Sequence, residues 1–134
     1  MNTNDNPSQH GADDERSAVV PHGEAGARAW REALLAQHAA VPAHGDFYDL
    51  AAHMVNTLRA LDAVAGVLAR QVADYGAGRV VYDDEGANPA HRMRAAVLAL
   101  AETRHGLARA ERAANQFWSA IGHIGTRYQD GDRS

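Results

Sequence analysis

Between Phe47 and Tyr75 the apolar residues Phe47, Ala51, Met54, Leu58, Leu61, Ala65, Leu68, Val72 and Tyr75 recur at alternating intervals of four and three. A half-buried strand repeats every second residue, so this spacing dictates a helix, and its persistence dictates a helix packed along its length against another. Leu50, Val64 and Val67 widen the stripe beyond a strict seam, as a helix with more than one neighbour requires.

Punctuation on either side supports a helix over 46–75. Asp46 is placed to cap it through its carboxylate, and Gly76 and Gly78 stop it. After a connection reading GAGRVVYDDEGAN, with a short β-prone run at Val80–Tyr82, Asn88 and Pro89 mark a second start, since Asn caps and proline suits the first helical position. The second stripe, over 89–124, runs through Met93, Val97, Leu100, Leu107, Ala110, Ala114, Phe117, Ile121 and Ile124. Its break between Leu100 and Leu107 falls on Thr103 or Arg104. An antiparallel hairpin across the connection sets Leu68 against Val97, Leu61 against Arg104 and Phe47 against Trp118. Asp62 and Arg104 are thereby predicted as a polar pair in mid-seam, with the connection covering one end of the hairpin.

Upstream, a shorter helix over 24–40 carries Ala27, Trp30, Leu34 and Leu35 on one side, bounded by Pro21 and Gly23 before it and Pro42 after it. Residues 1–20 are polar and lack apolar periodicity, and they are expected to form a disordered tail, as are residues 129–134. One helical domain over 21–128 remains. Its long helices, on the order of 50 Å each, carry more apolar surface than the short helix can cover. The expected fold is therefore all-α: a long antiparallel helical hairpin plus a short N-terminal helix, a three-helix protomer dimerising into a larger bundle.

The long helical hairpin resembles the small secreted helical-hairpin proteins of actinobacterial type VII systems. Their tryptophan-x-glycine turn has no counterpart in GAGRVVYDDEGAN, and Trp118 lies deep in the second helix. That family's function is therefore not carried over.

The chain has no cysteine, which excludes disulfides and thiolate zinc sites. It has no lysine either, and it is rich in alanine, a bias that fits codon choice in a GC-rich, actinobacterial genome. No apolar run approaches the ~18 residues needed to span a bilayer, and MNTNDNPSQHGADDERS lacks the basic start and apolar centre of a secretory signal. The expectation is a cytoplasmic protein that does not engage a membrane. The net charge of -4 conceals an asymmetry: residues 1–50 hold eight acids and three arginines, whereas residues 87–128 hold six arginines against Glu102 and Glu111. Arg92, Arg109 and Arg112 are the candidate basic face for phosphate contacts, although they do not share one clean row.

The eight histidines include no pair at i,i+4 and no His-Glu-x-x-His, so no metal site is assigned. Ser119 and His123 sit one helical turn apart without an oxyanion hole or an orienting acid in view, so no catalytic residue is assigned and no cofactor is expected. Asp83 to Glu85 read as a solvated turn. Aromatic residues gather at the end of the hairpin away from the connection, and Tyr48, Phe117 and Trp118 are the candidate partner surface. The sequence therefore favours a non-enzymatic helical interaction or regulatory accessory module, acting through protein–protein contacts with itself as a homodimer and with a further protein. The alternative is a nucleic-acid-associated accessory protein of a mobile element, using the arginines of the last helix; a small helical-bundle enzyme or ligand binder stands third.

Overall fold

A computed structural model describes residues 7–125 and 127. The fold is all-α, with α1 over Pro7–Ala39, α2 over His44–Tyr75 and α3 over Pro89–Gly122. The chain divides into two units, Met1–Pro42 and Ala43–Ser134.

In the first unit, α1 is a 33-residue helix that starts at Pro7 and continues through Pro21. The helix expected over 24–40 lies within this longer one, and residues 7–20 of the tail expected over 1–20 are helical as well. A proline in the first turn lacks only an N–H that would be unpaired anyway. Ala12, Glu15, Arg16 and Ala18 are adequate helix formers, so the backbone ladder propagates without an apolar repeat. Pro21 removes one bond from that ladder, and the helix persists on both sides of it. Leu34 and Leu35 are exposed and Trp30 is half-buried. Residues 1–6 and the expected tail at 129–134 lie outside the described residues.

In the second unit, α2 and α3 pack side by side as an antiparallel hairpin. The start of α2 differs from expectation: Ala43 is the cap residue and makes no side-chain bond, while Asp46 lies inside the first turn. Asp46 thus acts on the helix dipole by charge and does not act as a cap. The start of α3 follows the sequence signal, with Asn88 Oδ1 accepting from the Ala90 N–H at 2.9 Å and Pro89 opening the helix.

The hairpin core is small: Ala51, Val55, Ala65 and Ala114 are its buried apolar residues, and Val55 is the largest fully buried side chain. The seam predicted on α2 is corrected at four positions, because Met54, Leu61, Leu68 and Tyr75 are 43 %, 49 %, 43 % and 53 % exposed. Ala51 and Ala65 of that seam, together with Val55, Asp62 and Gly66, turn toward α3, a face roughly a quarter-turn from the Met54–Tyr75 row. A row of small residues lets the two backbones approach closely, and a row of leucines would hold them apart. The open end shifts likewise: Tyr48, not Phe47, meets Trp118, with ring centroids 5.7 Å apart and the rings tilted by 54°.

Candidate functional site

This packing leaves an apolar row on the flank of α2, roughly a quarter-turn from the face that meets α3. Met54, Leu61, Leu68 and Tyr75 repeat every seventh residue, each between two-fifths and three-fifths exposed, and Val64 broadens the middle of the row, while Val67 lies on the other flank beside Gly66 and Val97. Thr57 lies among them, but its hydroxyl donates to the His53 carbonyl of its own helix at 2.7 Å. On α3 the Thr103 hydroxyl is likewise turned onto the Ala99 carbonyl at 2.9 Å. Neither hydroxyl asks for a partner outside the helix, so both residues present chiefly their methyl groups.

The candidate partner surface is divided by the structure. Tyr48 and Trp118 come together, with Gly122 leaving room for the tyrosine: a β-carbon there would lie 3.1 Å from Tyr48 Cε2. Phe117 is exposed and does not join that pair. Tyr48, Asn115, Trp118, Ser119, Gly122 and His123 line a shallow cleft of about 380 Å³. Ser119 and His123 share this cleft, and no hydrogen bond links them among the described residues. Trp118 Nε1 is buried and has no acceptor among the described residues.

Asp62 and Arg104 are brought together. Arg104 Nε donates to Asp62 Oδ1 at 3.0 Å, and a second, longer contact runs from Nη2 to Oδ2 at 3.4 Å. The hydrogen bond from Arg104 holds the Asp62 carboxyl below its ordinary range. Both side chains remain well exposed, so the pair straps the flank of the hairpin and does not occupy its middle. Just under one turn along α2 and about two along α3, Arg59 and Glu111 make a second strap at 2.6 Å.

The candidate basic face loses one member. Arg92 Nε donates to Asp83 at 2.6 Å and its Nη2 to Glu85 at 2.8 Å, whereas Arg109 and Arg112 are exposed. The same interactions correct the reading of Asp83 as part of a solvated turn. Its side chain is only 6 % exposed and accepts the N–H groups of Glu85 and Ala87 at 2.9 and 3.1 Å besides Arg92. The Ala87 N–H, then Arg92, hold its carboxyl below the usual range. Asp83 is therefore the organiser of the connection, and an aspartate opening a turn ahead of Gly86 was the signal for it. The loop it shapes places Val81 over a cleft of about 570 Å³ at this end, lined also by Ala73, Met93, Val97 and Leu98, with Arg94 at its side.

Among the described residues no three His, Asp or Glu side chains gather to hold a metal ion, and no helix is long and apolar enough to cross a membrane. No family model, no curated protein and no solved structure matches this chain.

Proposed function

We propose that this protein is a helical interaction module that works through protein–protein contacts, without enzymatic chemistry of its own. The observation that carries this reading is the exposed row on α2 from Met54 to Tyr75. Its heptad spacing is that of a helix–helix seam, and α3 leaves it uncovered. Contiguous apolar surface of this kind, broken by no charged side chain from Val64 to Leu68, marks a surface that another protein covers. The Tyr48–Trp118 pair, at the end of the hairpin away from the connection, offers aromatic anchors of the kind that concentrate binding energy.

The test is a photo-reactive residue in place of Leu61, illuminated in cells that make the protein naturally. Covalent adducts to a protein, of whatever identity, are the expected result. Absence of protein adducts at Leu61, while the hairpin retains its helical circular dichroism, overturns the reading.

A further inference from the structure

We propose that the occupant of the α2 row is a second copy of this chain, bound with the two α2 helices antiparallel and Leu61 on the two-fold axis. This rests on the interaction reading above and names the partner of the same surface.

Three observations converge on it. The first is symmetry of kind along the row. Phe47, Met54, Leu61, Leu68 and Tyr75 run from aromatic through aliphatic to leucine and back to aromatic. A two-fold interface uses one patch twice, so each residue must tolerate the residue equidistant from the axis on the other side. Antiparallel pairing about Leu61 sets Met54 against Leu68 and Phe47 against Tyr75, which matches size with size.

The second is charge. Asp46 in the first turn of α2 borders the Leu61 row, whereas Arg70 lies on the opposite face, in a cleft with Val97 and Arg104. Parallel copies would set acid beside acid at one end. Antiparallel copies keep the two Asp46 carboxylates apart at opposite ends and oppose the helix dipoles.

The third is the thinness of the protomer core. A hairpin whose buried apolar set is three alanines and Val55 buries little of the apolar surface a unit of this size must remove from water. Two hairpins joined along their α2 rows make a four-helix arrangement in which Leu61, Val64 and Leu68 become interior. A second copy is present wherever the first is.

The absence of cysteine allows a direct test with single-cysteine variants under mild oxidation. Leu61→Cys is expected to form a disulfide-linked dimer, and a mixture of Met54→Cys with Leu68→Cys is expected to form the mixed dimer. Met54→Cys alone, Leu68→Cys alone and Ala113→Cys, an exposed position on α3, are expected to remain unlinked. The unmodified chain should run at twice its chain mass. Linking of Met54→Cys to itself would overturn the antiparallel arrangement. A folded monomer at micromolar concentration would overturn the second copy as occupant, whether the Leu61 photo-adducts then lie on α1 or on another protein. Adducts on another protein would leave the interaction reading standing, and the loss of all protein adducts would remove both.

Discussion

The guanidinium of Arg104 lies over Gly66, with its Cζ 3.1 Å from where a β-carbon of residue 66 would sit. Gly66 thus opens the path by which an α3 side chain crosses the α2 backbone to reach Asp62. The obstacle that alanine would present is met by the far end of a flexible, exposed side chain, which can move aside. Alanine in mid-helix also gains about 1 kcal/mol over glycine. Gly66→Ala is therefore expected to raise the denaturation midpoint, while Gly66→Leu is expected to break the Arg104–Asp62 contact and lower it. A loss of stability in the alanine variant would show that Arg104 cannot yield.

The Arg104–Asp62 pair is well exposed on both sides, and exposed ion pairs contribute little because solvent screens them. Arg104→Leu is expected to leave the melting temperature unchanged or raise it, since its neighbours include Gly66, Ala69 and Val97. A double-mutant cycle with Asp62→Ala should show coupling within error of zero at physiological salt. Strong coupling would reveal a network beyond this pair.

Among the described residues, Val55 is the one large side chain fully removed from water. Burying a valine is worth about 1.5–3 kcal/mol, so Val55→Ala should lose much of that. In dilute protein, Leu61→Ala should cost less, because α3 leaves Leu61 half exposed. Urea unfolding of the two variants at the same low concentration ranks them, and the reverse order would restore Leu61 to the hairpin seam.

Acid sensitivity should centre on the connection. The Asp83 carboxyl sits below its ordinary value of 3.8 through the Ala87 N–H and Arg92. Folding depresses this pKa, so the stability it contributes is present above 3.8 and is lost as the pH falls through the lower folded value. Melting temperatures measured downward from about pH 5 should fall for the wild-type chain, and Asp83→Asn should be less stable at neutral pH with a flatter acid limb. An identical slope in both would place the acid-sensitive groups elsewhere.

Much of the hairpin was legible in the residues themselves. The heptad recurrence from Phe47 to Tyr75, the glycines after it and the Asn88–Pro89 restart located two long helices to within a few residues. The placement of Asp62 near Arg104 needed only the antiparallel connection. The beginning of α1 was not legible, because a helix can propagate on backbone bonds through a stretch with no apolar repeat, and Pro21 removes only one of them. Asp83 was hidden for a related reason: composition cannot distinguish an acid facing water from one gathering three donors.

What the amino-acid order determined by itself is therefore periodic and local: two long helices, expected over 46–75 and 89–124 and found over 44–75 and 89–122, the start of the second at Asn88–Pro89, and that α2 carries more apolar rows than a single neighbour needs. What only the tertiary structure decided is which row faces α3. The expected seam combined the row of Ala51, Leu58 and Ala65 with that of Met54, Leu61 and Leu68; Ala51 and Ala65 are buried with Val55, whereas the second row is exposed, roughly a quarter of the helix away. Periodicity fixes the angle between such rows but not their assignment. Here the row containing Ala51, Ala65 and Gly66 took the α3 side, because small residues allow the closer helix contact and leave Arg104 its path to Asp62.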